Sequence, residues 1–160
     1  MLQKMKNRLK DQRGLTLIEL LAVIVILGII AAIAIPSIMG IINNSKADAH
    51  IANAQQIVNS TKLYLADAKI SVTTTPKSYA LNTLTEEGYL ETIDDPSGNG
   101  YDATGTKVYV SKVEATESTP EIYYYKVLLK SDTAYYIGSA DSDTGAVDVT
   151  TLERDDVNLH

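Results

Sequence analysis

The chain has 160 residues, no cysteine and a formal net charge of −6 at pH 7. The lack of cysteine excludes disulfides and thiol chemistry, and an acidic balance is a poor match for nucleic-acid phosphates. The charge is uneven, because the first 14 residues hold five basic side chains and one acidic one, whereas the remainder holds nine basic and nineteen acidic ones. The length allows one small domain beside a membrane-compatible segment.

An uncharged run of 23 residues, from residue 20 to residue 42, follows the basic leader. It is long enough to cross the hydrocarbon core of a bilayer as one helix. The positive-inside rule places the leader in the cytoplasm and the acidic remainder outside. Glu19 stands at the front edge of the run, where a carboxylate either extends to the interface or has a functional partner.

Gly28 and Pro36 interrupt an otherwise strong helical pattern in this run. Proline lacks an N–H and its ring clashes with the carbonyl one turn earlier, which predicts a kink at Pro36. Glycine lowers helix propensity by about 1 kcal/mol relative to alanine. Both residues are common in membrane helices, so ordinary packing also explains them.

The N-terminal region resembles the prepilin signal of type IV pilins, type II secretion pseudopilins and competence pseudopilins. The resemblance rests on a basic leader that ends at Gly14, on Glu19 five residues later and on the apolar run, and it covers residues 14–36 in detail. It implies that a membrane peptidase cuts between Gly14 and Leu15 and methylates the new amine of Leu15. Leucine stands where the family more often has phenylalanine.

The resemblance also implies a division of the chain into three parts. Residues 1–14 would be a removable leader, residues 15–42 a transmembrane helix that later forms a filament core, and residues 43–160 a globular head. Glu19 would pair with a Leu15 amine during assembly, either in its own chain or, as in the family, in the neighbouring subunit.

Further implications concern flexibility, partners and location. The helix would be able to loosen between Gly28 and Pro36. The partners would be other copies of the chain, related minor pilins, the prepilin peptidase and methylase, the inner assembly machinery and, before assembly, the membrane. The precursor would span the cytoplasmic membrane once with its head outside, and the assembled subunit would lie in a cell-surface filament. No enzymatic activity, cofactor or direct nucleic-acid binding is expected.

Two other functions stay open beside a structural type IV pilin. The first is a pseudopilin of a competence or type II secretion system. The second is a secreted binding domain released by ordinary signal cleavage after Ala34, since Ala32 and Ala34 fit a small-x-small site loosely. Against the second, Glu19 would then lie inside the apolar core of the signal.

An amphipathic pattern replaces the apolar run after residue 42. Small or apolar residues recur at steps of four and three, which predicts that the helix continues to about residue 69 with one face on a core. That stripe comprises Ala47, Ile51, Ala54, Val58, Thr61, Leu65 and Ala68. The pattern places His50 on the polar side of the helix.

The rest of the chain predicts a small antiparallel sheet. A short helix is expected within residues 79–90, a plain turn at residues 94–100, and strands at residues 107–113, 122–129, 134–138 and 146–150, in the order of a meander. The predicted fold class is therefore α+β, with a long N-terminal helix packed on a small antiparallel sheet, and the layout is similar to the pilin fold.

Three minor features carry competing interpretations. Residues 141–145 are faintly similar to a calcium loop but lack its full set of oxygen ligands, and a solvated acidic turn is the alternative. The tyrosine runs at residues 123–125 and 135–136 fit half-buried strands better than a ligand surface. The candidates for a basic cluster that could meet DNA are Lys107, Lys112, Lys126 and Lys130.

Overall fold

The structure is a computed structural model that describes residues 2–159, with side chains from residue 17 onward. The chain divides into two compact units, Met1–Ile42 and Asn43–His160. The elements in chain order are α1 (Leu2–Asp67), β1 (Lys77–Ala80), α2 (Leu81–Glu86), β2 (Lys107–Val113), β3 (Ile122–Lys130), β4 (Tyr135–Ile137), β5 (Val147–Asp148) and a 3-10 helix (Arg154–Asp156).

The described part of the first unit is helix alone. Helix α1 continues without a break through Gly28 and Pro36. Between Leu17 and Ile42, the large apolar side chains of α1 are exposed, from 44% at Ile42 to 72% at Ile33. Among the residues that the structure describes, α1 is the one helix long and apolar enough to cross a membrane.

The second unit begins with the stem, which we define as residues 43–67 of α1. One face of the stem lies in the core, and the predicted stripe is confirmed there: Ala47, Ala54, Val58, Thr61 and Leu65 are buried, and Ile51 is half-buried. Ile57, which the stripe omitted, is fully buried beside them. The stripe is wrong at Ala68, which is exposed and lies just past the end of α1.

The sheet of the second unit is antiparallel, as predicted, with the strand order β1-β2-β3-β4. Strand β2 pairs with β3 along its whole length, from Lys107 opposite Leu128 to Val113 opposite Ile122. Alternation along β3 directs Val127 and Leu129 into the core that they share with the stem. Each of the four predicted strands has a counterpart within a few residues of its expected bounds.

Two features of the sheet differ from the predicted meander. Strand β1 was not predicted, because its four residues follow a threonine-rich loop and lead directly into α2. Strand β5 does not extend the sheet beyond β4 but returns to β3, where Val147 lies opposite Val127. It fits there because β3 has nine residues and β4 only three, so part of the β3 edge is left for a second partner.

The short predicted helix is confirmed as α2, whose Leu81 and Leu84 are both buried. Gly88 follows it with a φ of 77°, a left-handed conformation that glycine adopts without strain. The fold is therefore α+β, with a long N-terminal helix packed on a small antiparallel sheet.

Candidate functional site

The predicted processing site falls where the structure describes only backbone. The Leu15 side chain lies outside the described part of the chain, but the backbone is helical through both Gly14 and Leu15. Residue 15 is therefore one helical turn before Glu19, on the same face of α1. The Glu19 side chain is exposed.

The predicted flexible positions lie on the exposed part of α1. Apart from the adjacent backbone of α1 itself, a Cβ atom added to Gly28 would meet no heavy atom within 4 Å. Packing within the single chain thus gives no reason for glycine at this position. Pro36 is likewise exposed.

The head contains a buried polar cluster that the sequence did not predict. The assignment of His50 to the polar side of the stem is wrong, because His50 is 0% exposed. Its Nδ1 lies 2.8 Å from the Tyr101 hydroxyl and its Nε2 lies 3.0 Å from Ser97 Oγ. Its ring stacks on Tyr136 with the ring centroids 4.2 Å apart. A histidine is tolerated in this core because both ring nitrogens have partners.

Asp95 is the charged member of the same cluster, and its side chain is 1% exposed. Its carboxylate accepts hydrogen bonds from the backbone N–H groups of Ser97 (2.7 Å) and Asn99 (3.0 Å) and from the Tyr136 hydroxyl (2.8 Å). These donors replace the water that burial removes. The segment predicted as a plain turn thus supplies a buried carboxylate. We call the whole set the His50 cluster: His50, Asn53, Asp95, Ser97, Asn99, Tyr101 and Tyr136.

Electrostatics keep the His50 cluster in one protonation state near neutral pH. Burial lowers the pKa of His50, the Asp95 carboxylate acts in the opposite direction, and Lys46 adds to the lowering. Burial raises the pKa of the Tyr101 hydroxyl well above its usual value. The imidazole is therefore neutral and the phenol protonated at pH 7.

The contact between Ser97 and His50 does not form a catalytic triad. In a triad the carboxylate holds the ring nitrogen opposite the nucleophile. Here Asp95 Oδ1 lies 3.7 Å from Nε2, the same nitrogen that contacts Ser97, and a tyrosine hydroxyl occupies Nδ1. The geometry suits a structural role for the histidine.

The two carboxylates of the 141–145 segment face lysines. Asp143 lies 3.2 Å from Lys126 Nζ, and Asp141 lies 3.7 Å from both Lys107 Nζ and Lys130 Nζ. In the described part of the chain, no group of three or more His, Asp or Glu side chains is arranged to hold a metal ion. Ion pairs thus join the segment to β2 and β3.

The candidate basic cluster is neutralised by the same kind of contact. Lys130 also pairs with Asp102 at 3.4 Å, and Lys112 pairs with Glu121 at 3.2 Å. All four candidate lysines therefore have a carboxylate partner. A lysine that is already paired contributes little attraction to a phosphate backbone.

The tyrosine runs are partly buried and partly exposed. Tyr123 and Tyr124 are exposed, Tyr125 is half-buried, and Tyr136 is fully buried. Lys62 Nζ lies 4.7 Å from the centroid of the Tyr125 ring, and Lys130 Nζ lies 5.3 Å from that of Tyr135. Strand burial accounts for Tyr125 and Tyr136, and cation–π contacts involve Tyr125 and Tyr135. The adjacent Tyr123 and Tyr124 are both exposed and depart from strict alternation.

Comparison with known proteins agrees with the N-terminal pattern. Residues 9–35 match the family model described as the prokaryotic N-terminal methylation motif. The type II secretion system core protein G of Vibrio cholerae is 32% identical over 107 residues, which cover 59% of this chain and 72% of that protein. The protein of the same name from Escherichia coli K12 is 33% identical over 106 residues, 56% of this chain and 70% of that protein.

A third relative, the type II secretion system core protein G of Aeromonas hydrophila, is 33% identical over 110 residues, 58% of this chain and 72% of that protein. No solved structure matches the chain.

The fold and the motif define a subunit with a prepilin-type N-terminus. The chain belongs to the family of type IV pilins and type II secretion pseudopilins, a family of structural proteins. Its relatives favour the pseudopilin alternative over the pilus interpretation.

Proposed function

We propose that this chain is a pseudopilin, a non-enzymatic subunit that assembles into a filament of a type II secretion system or a close equivalent. The observation that carries the proposal is that the methylation motif, residues 9–35, overlaps the exposed apolar part of α1 from Leu17 onward. Relatives named as core protein G support the secretion setting. A competence or pilus role would use the same processing but a different assembly.

The first step of the proposed function is anchoring in the membrane. Between Leu17 and Ile42, seventeen large apolar side chains are at least 44% exposed. Burying each one contributes about 1.5–3 kcal/mol, so together they outweigh the net stability of a typical domain, about 5–15 kcal/mol. Residues 15–42 therefore need a bilayer first and neighbouring helices afterwards, while residues 43–160 form the outer head.

The second step is processing at Gly14. A cut between Gly14 and Leu15 would leave the apolar helix on the mature subunit, unlike ordinary signal cleavage. Glycine has no side chain, so a peptidase in the membrane can approach its carbonyl closely. Methylation of the Leu15 amine would follow, with the prepilin peptidase and methylase as the partner.

The third step is assembly through Glu19. On membrane-insertion scales, an ionised carboxylate inside the hydrocarbon core of a bilayer is unfavourable by roughly 2.5–3.5 kcal/mol. A Leu15 amine would offset this by forming an ion pair. An amine in the same chain is one helical turn away, and an amine of the neighbouring copy would in addition set the axial register. Related minor subunits and the inner assembly machinery are the further partners of this step.

The experiment that tests the proposed function combines processing with cross-linking. The full chain is expressed with a prepilin peptidase, and membranes are treated with an amine-reactive cross-linker. We expect a shortened subunit and a ladder of multimers. Gly14→Glu should abolish both, because a bulky charge would occupy the cleavage site, whereas the small side chain of Gly14→Ala should preserve much of the processing. If the uncut Gly14→Glu variant formed the same series of cross-linked multimers as the wild type, the proposal would be contradicted.

A further inference from the structure

The His50 cluster joins three separate parts of the head. His50 and Asn53 lie on the stem, Tyr136 lies on β4, and the other members lie in the segment 94–101. Asn53 Nδ2 donates to the Asp94 carbonyl at 3.0 Å and to the Tyr101 hydroxyl at 2.9 Å. The segment itself has no helix or strand. Side-chain contacts to the stem and to Tyr136 therefore hold it in place.

The hydrogen bonds of the cluster favour one form of the imidazole. Because Asn53 donates to the Tyr101 hydroxyl, that hydroxyl is free to donate its own hydrogen to His50 Nδ1. The proton of the neutral ring is then on Nε2, where Ser97 Oγ accepts it. If Nδ1 were protonated as well, the Nδ1–H group and the Tyr101 hydroxyl would both be donors in this contact. One of the two hydrogens would then lose its acceptor.

The charges that face His50 do not remove this conflict. Lys46 on the stem opposes a positive ring, and Tyr101 and Tyr136 contribute protonated hydroxyls. Asp95 favours a positive ring, but its carboxylate already accepts three hydrogen bonds and lies 3.7 Å from Nε2. The net effect of this environment is that the pKa of His50 lies below its ordinary value, chiefly because of burial.

We propose that the His50 cluster is an acid-sensitive latch, in which protonation of His50 releases the segment 94–101 from the stem while the sheet stays folded. The release stays local because the pairing of β2 with β3 includes no member of the cluster. Gly98 and Gly100, both with positive φ, give the segment the freedom to move once the latch opens.

The latch would change the outer surface of the head. The segment forms one wall of a cleft of about 610 Å³, whose other side includes Leu81 and Thr85 of α2. Release of the segment would widen this cleft. A filament subunit whose head lies outside the membrane would then present a different surface in an acidic medium.

The direction of the pH effect follows from linkage. As the pH falls below about 6.5, His50 takes up a proton in the open or unfolded state before it does so in the latched state. The stability of the latch is therefore present above that pH and is lost as the pH falls towards the lowered pKa of the folded state. Asp48, Asp102 and Glu121, whose pKa values are lowered, stay ionised in this range.

The test is hydrogen–deuterium exchange of the full chain in a nonionic detergent at about pH 7.5 and about pH 5, corrected for intrinsic exchange. We expect amides of residues 94–101 to exchange several-fold faster at the lower pH, with β2 and β3 unchanged. His50→Gln stays neutral at both pH values and should lose this pH dependence. His160→Gln, which alters the only other histidine, should keep it. An unchanged pH dependence in His50→Gln would overturn the latch, as would faster exchange spread evenly over the sheet.

A second measurement does not depend on a folded variant. The His50 ring is titrated by NMR in the wild-type chain, with His160→Gln used to assign the signal. We expect a midpoint below that of a solvent-exposed histidine, about 6.5. A midpoint at or above that value would refute the proposal, because the folded head would then favour the protonated ring.

Discussion

Arg154 donates two parallel hydrogen bonds to Asp48, from Nε to Oδ1 at 2.5 Å and from Nη2 to Oδ2 at 2.7 Å. The pair joins the C-terminal segment to the stem across 106 positions of sequence. Two other contacts secure the same segment: a β-bridge between Ile137 and Val157, and a hydrogen bond of 2.8 Å from the Asn158 N–H to the Tyr136 carbonyl. In a chain without cysteine, these contacts fasten the segment to the rest of the head.

The first prediction concerns this fastening. Arg154→Lys keeps the positive charge but cannot form the fork-shaped pair of hydrogen bonds. We expect hydrogen exchange in residues 152–158 to become faster, while the melting temperature changes little because the pair is exposed to solvent. Asp48→Asn should produce the same local effect. The control is Asp155→Asn, an exposed carboxylate one residue from Arg154. Hydrogen exchange in residues 152–158 of Arg154→Lys at the wild-type rate would contradict this role of the ion pair.

A second prediction follows from Asp102. Burial acts to raise the pKa of its carboxyl, but hydrogen bonds from Gly105, Thr104 and Lys130 lower it to about 2. A carboxyl with a lowered pKa stabilises the fold above the pKa of the unfolded chain, about 3.9, and this stability is lost as the pH falls towards 2. We expect Asp102→Asn to unfold more easily than the wild type at neutral pH, with the difference shrinking below about pH 4.

Acid titrations monitored by circular dichroism measure this difference. Asp132→Asn serves as the control, since its side chain is exposed on a turn and the substitution should leave the curve unchanged. A gap between Asp102→Asn and the wild type that stays constant from neutral pH to pH ~2 would count against the ionised Asp102 as its cause.

A third prediction separates assembly from folding. Glu19→Gln should leave the head folded and the precursor in the membrane, because position 19 belongs to the first of the two units. Removing one partner of a buried ion pair is unfavourable by about 3–5 kcal/mol, so we expect the yield of cross-linked multimers to fall more than about tenfold. Glu117→Gln, on an exposed loop of the head, should assemble normally. Equal yields from the two variants would argue against a pairing role for Glu19.

A fourth prediction concerns nucleic acid. The mature chain, residues 15–160 in a nonionic detergent, should not bind duplex DNA at physiological salt, because Lys107, Lys112, Lys126 and Lys130 all have carboxylate partners. Fluorescence anisotropy with a labelled duplex measures this. A dissociation constant below about 1 μM, which is tighter than ordinary non-specific binding, would favour the competence alternative instead.

The packing of the stem against the sheet was predictable because it depends on the periodicity of apolar residues in the sequence. The step pattern of Ala47, Ala54 and Val58 places one face of the stem in the core, and the alternation around Val127 predicts the inner face of β3. Strand β5 was predicted near its true position but with the wrong neighbour. Its position depends on the relative lengths of β3 and β4, which local sequence does not encode.

The His50 cluster was not predictable for a similar reason. The partners of His50 lie 47 and 51 residues away at Ser97 and Tyr101. Turn composition at residues 94–100 predicts a local backbone shape but does not indicate which helix face it will contact. The one available signal was weak: His50 lies one helical turn from Ala47 and from Ala54, both members of the stripe that was predicted to be buried.

The measurement that bears most directly on the pseudopilin proposal is mass spectrometry of the N-terminal peptide of the mature protein, purified from membranes of cells that contain a prepilin peptidase. The account predicts a peptide that begins at Leu15 and carries a methyl group on its α-amine. Ordinary signal cleavage would instead produce a start at Ile35, with the apolar helix largely removed. A mature protein that begins at Ile35 would contradict the membrane anchor, the role of Glu19 and the filament together.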